Sequence, residues 1–187
     1  SDSAGIKVFR NTADTADITS VTIANGSSTA SFLYKDLKAG TPTLTAAATG
    51  LTSGTQLQTI NVGAFTKLQL LVPGETAAPG SATGKTSTPS VQTTGTPVSV
   101  TINAVDANWN LVSSITDTVG LTSSDANAAL PANTALTSGT KTLSVTFRTA
   151  TVTTLTASDL TDVAKTANTS PSISVNPAAF TKLQLLV

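Results

Sequence analysis

AFTKLQLLV occupies residues 64–72 and occurs again, without a change, at residues 179–187. The equivalent residues Phe65 and Phe180 are 115 residues apart. An identity of nine residues at such a spacing is not explained by composition, and a fixed period is the sequence signature of repeat architectures. The stretch therefore predicts a chain built from repeats, with one complete repeat between two partial ones.

The composition indicates an all-β protein with small cores and an inert surface. Thr makes up about a fifth of the chain, whereas aromatic residues make up 4%. Thr favours strands because it is branched at Cβ, and its hydroxyl keeps the outer face of a sheet hydrated. The 187 residues suffice for one or two domains, and they carry a formal net charge of +0 with only 11% charged residues. This argues against nucleic acid and anionic membrane surfaces as partners, since both require clustered Lys and Arg.

Cys, Met and His are all absent, which limits the chemistry of the chain. Without Cys there is no disulfide framework, and the missing residues are also those most easily oxidised or used to bind metals. That pattern favours an extracellular or cell-surface location. Without His there is no Ser-His-Asp or Cys-His arrangement, and the Asp residues are spread over turns with no evident pair in a pocket. We therefore expect no enzyme, no catalytic, cofactor-binding or metal-binding residues, no cofactor, and no membrane insertion, since no apolar run approaches spanning length.

Alternating apolar and polar residues predict short strands in residues 1–63, at 6–10, 18–24, 29–35, 43–48 and 57–62. Asn25-Gly26 lies between the second and third of these and predicts a tight turn, and hence a hairpin. Residues 73–96 carry four Gly and three Pro with no hydrophobic period, which predicts a long loop or a poorly paired edge.

From Pro97 the alternation is regular. The residues expected to face the core are Val98, Val100, Ile102 and Ala104, and those on the outer face are Ser99, Thr101 and Asn103. Further strands are predicted at 111–115, 118–122, 141–148, 151–157 and 172–175, with Leu143, Val145 and Phe147 facing inward. Turn signals recur roughly every 8–12 residues, as in an antiparallel sandwich, and no sustained helical period is present.

The partial first copy matches the second half of the complete one. Residues 31–45 align with residues 144–156 when the first hairpin loop is two residues longer. Three pairs then coincide: Phe32 with Val145, Tyr34 with Phe147, and Leu44 with Leu155. This match predicts that residues 1–63 are the second half of a repeat, residues 64–177 a complete repeat, and residues 178–187 the first strand of a following one, with an apolar face of Leu183, Leu185 and Val187.

The residues of the complete repeat resemble a known family. VSVTINAVDANWNLV, residues 98–112, resembles the AxDxxGN second-strand signature of bacterial immunoglobulin-like repeats. Residues 122–131 and 141–150 resemble the strands that follow in those domains, and residues 18–46 are similar to another variant of the group. The resemblance covers nearly the whole chain. It implies tandem immunoglobulin-like antiparallel β-sandwich repeats of a large bacterial surface protein, a group that includes invasin- and intimin-like adhesins. Trp109-Asn110 departs from the usual Gly-Asn, which puts the turn conformation in question.

A stretch in the long loop resembles a nucleotide-binding motif. Residues 79–86, PGSATGKT, nearly spell a phosphate-binding P-loop, but the first Gly is one place off. Thr88-Pro89 follow where the motif needs a helix whose N-terminus meets phosphate. We interpret the stretch as a Gly/Thr-rich loop.

A second stretch resembles a metal-binding loop. Asp106, Asn108 and Asn110, with Asp117 further on, mimic the start of an EF-hand loop, although the Gly at its sixth position is missing. We interpret them as an Asx-rich turn in which side chains bond nearby backbone. A calcium ion bound between repeats remains the alternative.

The Lys of the repeated strand, Lys67 and Lys182, raises the question of an amide cross-link to Asn, which some surface domains form beside a buried acid. Lys67 has the opposite parity to Leu68, and the only Glu of the chain is Glu75. A solvated Lys is therefore the interpretation we favour.

Three other residues carry recognisable signals. Asn25 and Asn168 begin formal N-glycosylation sequons, which arise often by chance in chains rich in Thr and Ser. Trp109 is either a core anchor or an exposed contact residue.

The sequence thus favours a structural function: a repeat segment of a bacterial extracellular stalk, fibre, filament or surface layer, contacting neighbouring repeats or subunits head to tail. The alternative is an adhesin module that binds a host receptor or glycan through loops at one end of the sandwich. Exposed aromatic residues on one loop end would favour the adhesin, and Trp109 is the strongest candidate.

Overall fold

The structure is a computed structural model that describes residues 1–183 and residue 185. The regular elements of the described residues are all β-strands, which confirms the predicted all-β class. The strands of the first part are β1 (Lys7–Arg10), β2 (Leu33–Asp36), β3 (Thr43–Ala46) and β4 (Gly54–Leu57). Those of the second part are β5 (Lys67–Leu71), β6 (Thr76–Ala77), β7 (Lys85–Thr86), β8 (Gln92–Thr93), β9 (Pro97–Val105), β10 (Thr118–Ser123), β11 (Thr134–Ala135), β12 (Thr140–Thr146), β13 (Val152–Thr153), β14 (Leu155–Asp159), β15 (Asn168–Thr169) and β16 (Ile173–Asn176).

The long strand β9 is the centre of a three-stranded antiparallel sheet with β12 on one side and β5 on the other. The register places Val100 opposite Leu143 and Ile102 opposite Leu70. The first copy of the repeated nonapeptide therefore supplies the edge strand β5, whose Leu68 and Leu70 are fully buried.

The opposite side of the second part holds two further sheets. One has the order β11-β10-β14-β15 and is antiparallel throughout. The other has the order β13-β16-β8, in which β8 runs parallel to β16. β6 and β7 form a small hairpin within the long loop, residues 73–96.

One cluster of buried apolar side chains lies between these sheets, because alternate residues of each strand point inward. The predicted face of β9 is buried, with each of its four apolar residues at most 9% exposed. Val145 and Phe147 are buried as expected, and Leu143 packs partly buried against the cluster. Among the described residues the cluster has no member before Phe65.

The first 63 residues form two separate two-stranded sheets, β1-β2 and β3-β4. The predicted hairpin between residues 18–24 and 29–35 is wrong, since β2 pairs with β1 instead. The turn at Asn25-Gly26 does form, with the Ser27 N–H donating to the Ala24 carbonyl at 2.9 Å. The arm at residues 18–24 does not become a strand because no apolar layer covers it, and Val21 and Ile23 remain exposed. The arm at residues 29–35 is strand only from Leu33, where β2 begins.

Two other predicted strands differ. Residues 111–115 are irregular apart from one bridge between Val105 and Leu111, because a tight turn at residues 106–110 folds the chain back onto β9. The predicted strand at 57–62 begins and ends earlier, as β4. At the chain end Phe180, Leu183 and Leu185 are exposed, whereas the predicted face member Val187 lies outside the described residues.

Candidate functional site: the Asp106 loop

Residues 106–110, here called the Asp106 loop, form a closed turn at the end of β9. The Asp106 N–H donates to the Asn110 carbonyl at 2.9 Å, and the Trp109 N–H donates to the Asp106 carbonyl at 3.2 Å. Trp109 has φ 68°, the left-handed conformation that Gly adopts most readily. The turn is therefore closed with a Trp in a backbone conformation that a Gly would adopt more readily.

The Asp106 carboxylate organises this loop. Its Oδ1 accepts the N–H groups of Asn108 at 2.8 Å and Asn110 at 2.9 Å. Its Oδ2 accepts the Gly63 N–H at 2.9 Å and the Asn110 Nδ2 at 3.0 Å. Asp106 is only 3% exposed, so these donors replace the water that would otherwise solvate the charge.

The Asn110 side chain joins the loop to the first part of the chain. Its Oδ1 accepts the Ala39 N–H at 2.9 Å, and its Nδ2 donates to the Leu37 carbonyl at 2.9 Å. Asn110 is itself buried. One amide therefore satisfies a donor and an acceptor on the same short segment, residues 37–39, while it remains fixed to Asp106.

The long loop adds a second connection at the same place. The Gly80 N–H donates to the Asn108 carbonyl at 2.8 Å, and the Ile6 N–H donates to the Gly80 carbonyl at 2.9 Å. Gly80 approaches Lys38 so closely that an added Cβ would lie 2.5 Å from the Lys38 Cβ. Gly80 is thus required for the backbones of the two parts to meet.

Trp109 is packed between other parts of the second unit. An added Cβ at Gly84 would lie 2.2 Å from Trp109 Cδ2, so the indole rests directly on the Gly84 backbone. The Lys67 Nζ lies 3.5 Å from the ring centroid, within cation–π range, and donates to the Ala107 carbonyl at 2.9 Å. Lys67 was predicted to be solvated, but in the structure it is only partly exposed and binds the turn. Trp109 is half-buried and anchors that turn.

These contacts shift the pKa values of the charged side chains in the site. Burial works to raise the pKa of Asp106, but the bonds from the Asn110 side chain and from the N–H groups of Gly63, Asn110 and Asn108 outweigh it and lower that pKa. Burial lowers the pKa of Lys67, and the nearby Asp106 charge offsets part of that effect. The site is a charge-assisted backbone clamp in which the carboxylate stays ionised.

The residues that mimic the start of an EF-hand loop therefore form an Asx turn. Both oxygens of Asp106 accept N–H donors, and Asn110 Oδ1 accepts the Ala39 N–H. A calcium ion would have to displace these donors. Within residues 1–183 and 185 no group of three or more acidic side chains is placed to hold a metal ion.

The stretch that resembles a P-loop covers the outer face of β5. Gln69, buried at 1% exposure, donates to the Gly84 carbonyl at 2.6 Å. The Lys85 Nζ donates to the Leu70 carbonyl at 3.0 Å and lies 3.0 Å from a carboxylate oxygen of Glu75, whose side chain is fully buried. The lysine is therefore paired within the fold, and a short strand rather than a helix contains it.

The two sequons lie in different environments. Asn168 Oδ1 accepts the Leu70 N–H at 2.9 Å and so links β15 to β5. The side-chain amide of this sequon is therefore engaged in a hydrogen bond of the fold. Asn25 lies in an exposed turn. Lys182, the equivalent of Lys67, is exposed.

The structure brings together two carboxylates that sequence reasoning did not pair. Asp117, before β10, faces Asp159 at the end of β14, and burial together with the Asp159 charge raises the pKa of Asp117. Asp159 is buried, and its Oδ2 has no hydrogen-bond partner. The residues are 42 positions apart in sequence, and only the pairing of β10 with β14 places them side by side.

No protein-family model and no curated protein matches this chain. In the described part of the chain, no helix is long and apolar enough to cross a membrane.

Proposed function

We propose that the chain is a segment of an array of immunoglobulin-like β-sandwich repeats, with residues 64–177 as one complete repeat. The strand order supports this. β5, β9 and β12 would be strands A, B and E of one sheet, and β10, β14 and β15 would be strands C, F and G of the other, as in the ABED and CFG sheets of immunoglobulin domains. The AxDxxGN-like stretch after β9 agrees with this assignment.

Within that array the function is structural: an extracellular or cell-surface stalk, fibre, filament or surface layer. The observation that carries the proposal is the Asp106 loop, which holds two successive units to each other through partly buried hydrogen bonds. The contacts between the units are Gly63 N–H to Asp106, Ala39 N–H to Asn110, Asn110 to the Leu37 carbonyl, and Ile6 N–H to the Gly80 carbonyl. Bonds of this kind fix the angle between neighbours, which is what an array under tension requires.

The repeat extends the same junction along the chain. Gly63 and Ala178 each precede a copy of AFTKLQLLV by one residue. In this chain the Ala178 N–H donates to Thr94 Oγ1 at 2.9 Å. In an array it would exchange that bond for one to the Asp106-equivalent carboxylate of the next unit. Each repeat would then carry one clamp at its leading end and one donor at its trailing end.

An adhesin function lacks comparable support. Trp109, the aromatic residue on which a receptor-binding loop would depend, rests on Gly84 beneath Lys67. An indole engaged in this way stabilises its own turn.

The test is the rigidity of the junction in the full chain. Because the protein has no Cys, two spin labels can be attached without other changes, at the exposed positions Thr55 and Ser99. Electron–electron distance measurement should give one narrow distribution, and Asn110→Ala should broaden it while the second unit stays folded. The matched control is Asn127→Ala, which removes an exposed amide away from the junction. A distribution that is already broad in the unchanged protein would overturn the structural proposal.

A further inference from the structure

The first 63 residues expose side chains whose counterparts form the core of the second unit. Phe32 is 39% exposed, whereas its counterpart Val145 is 0% exposed. Tyr34 is half-buried, whereas its counterpart Phe147 is buried. The two members of each pair occupy the same position in the repeat, so their different burial reflects a missing neighbour.

Phe32 lines an open groove, and Tyr34 lies behind it against Phe9. Phe9, Phe32, Val21 and Ile18 form its apolar wall, together with residues 45–47 of β3 and the segment after it, and its volume is about 360 Å³. The Phe9 ring contacts the rings of Phe32 at 5.6 Å and Tyr34 at 5.1 Å between centroids. The groove lies between the sheet β1-β2 and the sheet β3-β4, where a sandwich would have its core.

The strand pairing identifies what is missing. β2 is the counterpart of β12, whose neighbour in the complete unit is β9. In the first unit β2 is paired with β1 instead. In chain order β1 is the counterpart of β10, which in the complete unit pairs with β14 in the opposite sheet. β1 therefore occupies the place beside β2 that a β9-like strand holds in the complete unit.

We propose that the groove is a docking site for the opening strands of a preceding repeat, and that a strand with the sequence pattern of β9 inserts beside β2. Such a strand offers alternate Val and Ile side chains, and its copy of Val98 would lie beside Phe32 as Val98 lies opposite Val145 in the complete unit. Insertion releases β1 to pair with β3, the counterpart of β14. The inference rests on the proposed repeat array and names the partner of its first unit.

The experiment adds the proposed partner to the full chain. A copy of residues 64–115 is fused ahead of Ser1, which places the added Phe 115 residues before Phe65 and so preserves the period. The control carries Asp in the copied positions of Val100 and Ile102, where a buried charge prevents the strand from docking. Amide exchange in β2 should slow by about tenfold or more with the native extension, and stay unchanged with the control.

Formation of a disulfide bond tests the register in which the added strand would pair with β2. In the complete unit Ser99 lies opposite Ser144, and the counterpart of Ser144 is Ser31. Cys at Ser31 and at the copied Ser99 should form a disulfide, whereas Cys at Ser31 and at the copied Thr101 should not. The absence of other Cys makes the readout specific.

Two outcomes would overturn the proposal. One is equal amide exchange with the native and the Asp-bearing extensions. The other is an oligomer size of the unextended protein that increases with concentration and no longer does so once residues 179–187 are removed. That result would show that the groove binds the tail of a second copy. A rigid junction combined with a failed extension would reject this inference alone, whereas a flexible junction with successful docking would reject the structural function alone.

Discussion

Replacing Asp106 by Asn removes the charge on which the junction depends and leaves the size of the side chain unchanged. The carboxylate accepts backbone N–H groups of Gly63, Asn108 and Asn110 in addition to the Asn110 side chain. An Asn in this place keeps one acceptor oxygen and turns an NH₂ group toward the remaining donors. We expect the Oδ1 bonds within the loop to survive in weakened form, and the two bonds that Oδ2 accepts, from the Gly63 N–H and the Asn110 Nδ2, to be lost.

The magnitude follows from the number of bonds affected. A hydrogen bond to a charged group contributes about 1.5–3 kcal/mol, and a buried donor left without a partner costs about 1–3 kcal/mol. With both Oδ2 bonds lost and the others reduced, Asp106→Asn should lower the free energy of unfolding by at least about 3 kcal/mol at pH 7. Solvent screening does not reduce this figure much, because Asp106 is buried.

Urea denaturation followed by circular dichroism measures the change. The control is Asp17→Asn, which removes an exposed carboxylate whose ion pair with Arg10 lies on the surface and contributes about 0–1 kcal/mol. Equal losses for the two variants would refute the assignment of Asp106 as a buried clamp.

The pH dependence gives an independent check. The pKa of Asp106 is lower in the folded state than in the unfolded state, so its contribution is fully present above the unfolded value and is lost as pH falls through the folded value. The stability difference between the protein and Asp106→Asn should therefore be constant above about pH 5 and shrink below about pH 4. A difference that grows on acidification would refute the reasoning.

Other substitutions test the core, the loop and the carboxylate pair. Val100→Asp should destabilise the second unit by several kcal/mol, whereas Thr101→Asp on the outer face should change stability by about 0.5 kcal/mol; equal shifts in Tm would mean that the strand register is wrong. Gly84→Ala and Gly95→Ala both place Ala at φ +78°, but only the first forces the indole to move, so calorimetry should show it to cost about 1–3 kcal/mol more. Asp117→Asn should raise Tm at pH 7 because it removes a carboxylate whose pKa the fold raises, and the gain should vanish below about pH 4; a gain that persists in acid would show another cause.

The local sequence pattern was sufficient to predict which residues are buried where a strand has one buried face. The alternation from Pro97 predicted the inward residues of β9, and the structure confirms them, because a strand between two neighbours can present its apolar side in only one way. The same pattern failed at residues 18–24, where the apolar alternation is present but no layer packs against it. Alternation describes what a segment can bury, and the neighbouring strands decide whether it is buried.

The site shows the same division. The short spacing within residues 106–110 was enough to predict the Asx turn, since those bonds join groups two to four residues apart. Their use as a clamp on Gly63, Leu37 and Ala39 was not predictable, because those partners lie 43 to 73 residues away. The pairing of Asp117 with Asp159 was missed for the same reason.

The sequence by itself determined the all-β class, the recurrence of AFTKLQLLV after 115 residues and the inward face of β9. The first follows from composition, the second from identity, and the third from the alternation of apolar and polar residues. Tertiary structure alone decided that Trp109 rests on Gly84, that Lys85 pairs with Glu75, and that β2 lies beside β1. The physical reason is that burial and charge pairing depend on which segments meet in space. A local sequence pattern indicates which residues favour burial, and the segments that bury them come from distant parts of the sequence.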